Sequence, residues 1–377
     1  AQPDDEKQYW DQRFRLGGKI QVAEGLSAHF RIDLAEVQWG QQTSTKRGWN
    51  RGLSSDQDSD RQIQVDRAYA RWERDYFILN AGQAFTSFGN QIVVDQNQFG
   101  FVLRLKLPVV LDLVYSKIDE SGSLNDSGEN DDVDFYGGQA TYKADNWSAG
   151  VLLAQINDGT NEDDSPGAFG FFGSFNFGMF AINGELDAFF GDGGQGPTGS
   201  TVDAKGVQLY LDAKANILPN LTLGGEFFWA DSYSDAATET QITGLTDSGS
   251  WSPMDRESGF ADTFGTLQGI ANVTGGTAKG IPEFDPSGNS AGSIGFQLYG
   301  QYRFLEKFMI QAGFMYLTPN DDDLTILDNV SVFNAGLLWD CLPNTTLRVG
   351  YNMSNPDFDG VDSDNAQGVI GQLQLTW

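Results

Sequence analysis

AQGVIGQLQLTW, residues 366–377, ends the sequence and decides its reading. Val369, Gly371, Leu373, Leu375 and Trp377 occupy one set of alternate positions, and Ile370, Gln372, Gln374 and Thr376 the other. Alternation with a period of two is that of a strand with one apolar and one polar face. Terminal residues of soluble domains usually fray, so an apolar strand finishing in Trp is out of place there. A sheet closed within lipid ends that way, because its last strand has to complete the sheet and face hydrocarbon. The stretch predicts a transmembrane β-barrel, and each other segment tests that expectation.

Working back from it, the same alternation recurs in pairs of segments joined by short turns. Strands are expected over 329–340 and 345–353 across Pro343-Asn344, over 294–304 and 308–317 across Glu306-Lys307, and over 205–216 and 221–229 across Pro219-Asn220. Further pairs are 168–177 with 180–190 across Gly178, 133–143 with 147–156 across Asp145-Asn146, and 99–107 with 109–117 across Pro108. The first two pairs are 62–74 with 76–88, and 10–22 with the strand that follows Glu24-Gly25. Most segments have the roughly 9–13 residues that suit a tilted strand crossing hydrocarbon, and the turns carry Gly, Asn, Asp and Pro. Long polar connections separate the pairs, at about 41–61, 119–132, 157–167, 191–203, 231–289, 319–328 and 355–365, with another polar one before Phe99. Short turns at one end and long loops at the other are the asymmetry of outer-membrane barrels.

The expected fold is therefore all-β: a single transmembrane antiparallel β-barrel over 1–377, of about 16–18 strands. The segments number about seventeen, whereas bacterial single-chain barrels have an even count, so a strand preceding Ala1 would restore parity. Trp72, Tyr76, Tyr142, Trp147, Tyr302, Phe308, Trp339 and Trp377 stand beside the short turns, where a periplasmic-side aromatic girdle belongs. The 231–289 connection is too long for an ordinary loop. Its Trp251, Met254, Phe260, Phe264, Leu267 and Ile281 predict that it folds into or over the pore.

Composition narrows the classes further. The chain carries 52 acidic against 23 basic residues, a net charge of −29, which argues against nucleic acid as a partner. One Cys, Cys341, and one His, His29, leave no internal disulfide framework and no multi-His zinc site. A run of about 18 apolar residues is absent, so helical spanning is excluded. No Ser-His-acid set beyond His29 and no phosphate cradle point to catalysis, and the chain reads as a non-enzyme. Without a leader at Ala1, it reads as a mature exported chain. Acidic clusters near 126–134, 157–164, 321–323 and 357–364 make loop-bound Ca²⁺ the one cofactor candidate, although none has EF-hand spacing.

The inward faces carry the candidate site. Early strands place Arg13, Arg15, Lys19, Arg31, Arg67, Arg71, Arg104 and Lys106 on the polar side, with Asp33 and Asp112 among them, and late strands add Arg303 and Arg348. Early and late strands become neighbours when a sheet closes. The cations would then form one wall, with Asp187, Asp212 and Glu226 of the middle strands across the lumen. Such a transverse field orients polar solutes in a constriction. The competing reading is local pairing, as of Arg31 with Asp33.

Leu373-x-Leu375-x-Trp377 resembles the C-terminal β-signal of Gram-negative outer-membrane porins, with Trp in place of Phe. Phe77-Ile-Leu-Asn-Ala-Gly-Gln-Ala-Phe-Thr-Ser-Phe-Gly89 resembles a strand that many porins write with Gly-Arg-Gln, here without the Arg. The Arg13-x-Arg15-x-Gly17 hairpin is similar to alginate-export-type and related substrate porins. The resemblance implies the outer membrane of a Gram-negative bacterium and a passive diffusion channel for small hydrophilic solutes. The basic wall adds a preference for anionic ones. Candidate partners are outer-membrane lipid, such solutes and further copies of the chain in a trimer. The alternative is a structural sheath around a periplasmic multihaem cytochrome, whose haem would belong wholly to that partner because no Cys-x-x-Cys-His is present.

Overall fold

The computed structural model describes residues 11–38, 63–120, 132–159, 164–195, 200–232, 239–241, 245, 292–321, 327–358 and 365–375. They form β1 (Asp11–Ala23), β2 (Leu26–Gln38), β3 (Ile63–Glu73), β4 (Phe77–Ser87), β5 (Asp95–Leu105), β6 (Val109–Glu120), β7 (Asp132–Lys143), β8 (Trp147–Asp158) and β9 (Asp164–Phe177). The second half gives β10 (Phe180–Gln195), β11 (Thr201–Leu218), β12 (Leu221–Ala230), β13 (Glu239–Gln241), β14 (Ser293–Phe304), β15 (Phe308–Thr318), β16 (Leu327–Leu342), β17 (Thr345–Phe358) and β18 (Ala366–Leu375).

Each strand pairs antiparallel with the next in sequence, except that β12 pairs with β14 while the three-residue β13 runs parallel to β11. Without β13 the sheet is a meander of seventeen strands, so β1 and β18 run in the same direction. Among the described residues these two share no pairing.

Alternation decides which face each residue takes. On β6, Val109 and Leu113 are exposed on the apolar face, while Asp112, Val114 and Ser116 are buried on the other. On β18, Val369, Leu373 and Leu375 are exposed on the apolar face. Thr376 and Trp377, which complete the expected closing strand, lie outside the described residues. Short turns fall where turn chemistry puts them. Gly25 (φ 72°) and Asn344 (φ 61°) take the left-handed conformation that tight hairpins need. Beside these turns Trp339 stacks on Phe308, with ring centroids 5.8 Å apart, and Tyr142 packs on Trp147 at 5.3 Å.

Two expected loops are shorter than the sequence suggests. The 191–203 connection is largely strand, since β10 runs on to Gln195 and β11 begins at Thr201. Glycines there hide the alternation, while backbone pairing continues through Asp192↔Asp203. Likewise β9 starts at Asp164, where Asp164 to Gly167 pair with Gly193 to Phe190 of β10.

The other departure concerns the connection at 88–94. It lies on the inner, polar face: the Asn90 side chain donates to the Gly184 carbonyl of β10 at 3.0 Å, and the Gly89 N–H to Gln139 Oε1 of β7 at 3.0 Å. In a flat sheet, strands at about 4.8 Å spacing would put β10 about 29 Å from β4. Asn90, three residues beyond β4, reaches about 10 Å along the chain. A Gln or Asn side chain does not bridge the difference, so the sheet is strongly curved about its inner face. Phe88, Val93 and Val94 are buried there with Val114, Phe135, Leu152, Ala154, Ala168, Phe189 and Leu245.

Candidate functional site

The inner face holds the charges, and direct cross-strand register pairs them. Arg15 lies opposite Asp33, and Arg104 opposite Asp112. Opposite charges at such positions meet without any change of backbone. Arg15 Nε is 2.6 Å from Asp33 Oδ1, and Arg104 Nε 2.6 Å from Asp112 Oδ1; both guanidiniums donate twice. Arg15, not Arg31, stands directly opposite Asp33 in register. A register shift after Arg31 inserts Asp66 as an extra residue in β3, where it accepts from Arg31. Arg67 donates to Asn97 Oδ1 at 3.1 Å, and Asn97 in turn to Asp66 at 2.7 Å. Nearer the short turns, Glu73 accepts from both Arg71, at 3.0 Å, and Lys106, at 2.8 Å.

The pairs are unequal in what they present. The Arg15 side chain is 38% exposed against 8% for Asp33, and Arg104 51% against 7% for Asp112. Each carboxylate is sunk beneath its partner and fixes the guanidinium, whose planar fork stays open to the inner space. Pairing therefore orients this row of cations rather than erasing it.

On β14 and β16 Arg303 pairs with Asp340 at 3.0 Å, both half-exposed. Arg348 stands on β17 between Leu338 and Gln372 in register. Lys19 is exposed on the inner face of β1, opposite His29. The side chain of Arg13 is outside the described set.

The carboxylates of the middle strands take the same face but not the expected role. Asp187, Asp212 and Glu226 are buried, together with Glu185, which the sequence reading passes over. Gln208 donates to Asp187 at 3.0 Å, Asn183 and the Tyr299 hydroxyl each to Asp212 at 3.0 Å, and Tyr210 to Glu226 at 3.4 Å. Glu185 accepts the backbone N–H of Asn90. These acids lie beneath the groups that donate to them, whereas Arg15 and Arg104 are 38% and 51% exposed above their carboxylates.

The 88–94 connection completes the site. Asp112 accepts from Gln139 at 2.8 Å as well as from Arg104, Gln139 accepts from Gly89, and the next residue is tied to Glu185. A single hydrogen-bonded chain thus runs from an exposed arginine to the inward connection and on to β10. Of the 231–289 connection, only 231–232, 239–241 and 245 are described. Lys205 of β11 pairs with Glu239 of β13 at 2.6 Å, and buried Leu245 donates its N–H to the Val93 carbonyl at 3.1 Å.

No protein-family model matches the chain, and no curated protein matches it. Solved structures do. OccK11 (OpdR) of Pseudomonas aeruginosa is similar at a TM-score of 0.56 and 11% identity, over 97% of this chain and 89% of that one. A BenF-like porin from Pseudomonas fluorescens Pf-5 gives 0.56 and 13%, over 98% and 92%. The chain has an all-β, largely antiparallel fold similar to that of β-barrel porins. OccK9 (OpdG) of P. aeruginosa agrees, at 0.55 and 13% over 99% and 94%.

Within this porin fold the residues that sequence reasoning missed are Asp66, Asn90, Gln139, Glu185 and Tyr299. One signal was available: Ile92-Val93-Val94 is an apolar run inside a connection otherwise read as polar. Among the described residues no group of three or more His, Cys, Asp or Glu could hold a metal ion. Much of the acidic loop sequence expected to offer Ca²⁺ ligands lies outside the described set.

Proposed function

We propose that the chain is a porin of a Gram-negative outer membrane, a passive channel for small hydrophilic solutes that prefers anionic ones, and not an enzyme. The observation that carries this reading is the inequality within the ion pairs: guanidiniums exposed, carboxylates beneath them. A water-filled path lined in this way presents fixed positive charge to a passing solute despite the chain's overall acidity. In this reading the curved sheet closes into a barrel. The apolar faces of the strands meet lipid. The 88–94 connection, joined at Val93 by Leu245, narrows the path.

The inward connection also argues against a sheath around a cytochrome, since holding a folded protein requires an open bore. Purified protein in planar bilayers under a KCl gradient tests the proposal. Open channels with an anion-selective reversal potential are expected. A silent preparation overturns the channel reading, and a strongly cation-selective one overturns the preference.

A further inference from the structure

Three inner-face residues on consecutive strands stand in one row: Lys19 of β1 opposite His29 of β2, and His29 opposite Tyr69 of β3. The His29 and Tyr69 rings are stacked, with centroids 4.9 Å apart and planes within 5° of parallel. Ser27 Oγ and His29 Nε2 are 2.9 Å apart, and Ser27 is buried, so the distal nitrogen of the imidazole is engaged by the sheet. The stack in turn fixes the plane of the Tyr69 ring. Among the described residues Lys19 has no ion-pair partner, unlike the arginines around it: Arg31 pairs with Asp66, and Arg71 with Glu73.

We propose that Lys19, His29 and Tyr69 form a solute subsite for a small 2-hydroxycarboxylate, a proposal that rests on the channel reading above. The chemistry follows the row. An ammonium is a donor-only cation and takes the carboxylate, whereas the Tyr69 phenol both donates and accepts, as a hydroxyl partner must, and His29, engaged by Ser27, holds that phenol in place by stacking. Neighbouring strands are about 4.8 Å apart, so Lys19 and Tyr69 stand about 9.6 Å apart with His29 between them. A carboxylate and an adjacent hydroxyl, each at hydrogen-bond length from its own partner, span about 8 Å of that gap. Arg31 and Arg71 flank the row, on the β2 and β3 positions two residues from His29 and Tyr69, and add favourable field without competing for the hydroxyl. A carboxylate lacking the hydroxyl would keep the Lys19 contact alone.

The test compares lactate with propionate, which differ by that hydroxyl, as blockers of chloride current through the channel in planar bilayers. Lactate is expected to half-block at about fivefold lower concentration than propionate, the worth of one net hydrogen bond. In Tyr69→Phe, which keeps the stacked ring and removes only the hydroxyl, the ratio should fall toward one. Lys19→Met should weaken block by both acids while leaving lactate ahead. A conducting wild-type channel that does not distinguish the two acids overturns the subsite alone, and so does a Tyr69→Phe channel that keeps the full ratio. A preparation silent in KCl overturns the channel reading and the subsite with it.

Discussion

Asn90 and Glu185 are hydrogen-bonded across the inner face although 95 residues separate them in sequence, the backbone N–H of Asn90 donating to the buried carboxylate. The Asn90 side chain adds a second tie, to Gly184. A short connection from one part of the sheet is thereby fastened to a strand six positions away in the sheet, which holds its curvature.

Removing that carboxylate should widen the channel. Glu185→Ala leaves the Asn90 N–H without its acceptor in a buried setting, at a cost of about 1–3 kcal/mol, enough to free the connection. Gly89→Ala should act in the same direction, because an added Cβ would lie 2.3 Å from Glu185 Oε2 at a residue whose φ is +52°. Single-channel conductance is expected to rise in both variants. Unchanged conductance in both would mean that 88–94 does not limit the path.

The Arg104–Asp112 pair makes selectivity adjustable in two directions. Asp112→Asn retains shape and the contact with Gln139 while dropping the buried negative charge. It should raise the anion-to-cation permeability ratio by about twofold, and Arg104→Gln should lower it by a similar factor. Reversal potentials under a KCl gradient report both, and shifts of the same sign would contradict the arrangement.

Much of this fold was legible because a strand's alternation shows which of its sides is apolar and which is polar. β6 and β18 announce their faces residue by residue, and Pro343-Asn344 announces its turn. The site was less legible for three physical reasons. The partner of Arg31 depends on a one-residue bulge at Asp66, which alternation does not encode. Asp212 and Glu226 accept from the hydroxyls of Tyr299 and Tyr210, and Glu185 from a connection between β4 and β5, none of which alternation along the acids' own strands reveals. The Asn90–Glu185 tie is a long-range contact with no local pattern at all.

Tyr299 offers a stability test of the buried acids. Its ring lies over Gly224, where an added Cβ would be 2.2 Å from the ring, and its hydroxyl donates to Asp212. Tyr299→Phe should cost about 1.5–3 kcal/mol, as for a hydrogen bond to a charged group. Gly224→Ala should cost more, because the rigid ring has to move. Urea midpoints of the folded protein in lipid, followed by tryptophan fluorescence, would rank the two.

The assignment of faces can be tested on one strand. Leu298, near the middle of β14, is exposed on the apolar face, and Gln301, three residues on, is half-buried on the inner face. Burying a guanidinium in hydrocarbon at mid-strand costs about 2–4 kcal/mol in outer-membrane barrels. Leu298→Arg should lose that much in urea unfolding from lipid vesicles. Gln301→Arg, whose charge would enter a polar space already lined by arginines, should stay within about 0.5 kcal/mol of the parent protein. Equal losses would mean that both faces of β14 are dry. The reverse order would place lipid on the charged side, where the exposed guanidiniums of Arg15 and Arg104 could not be solvated.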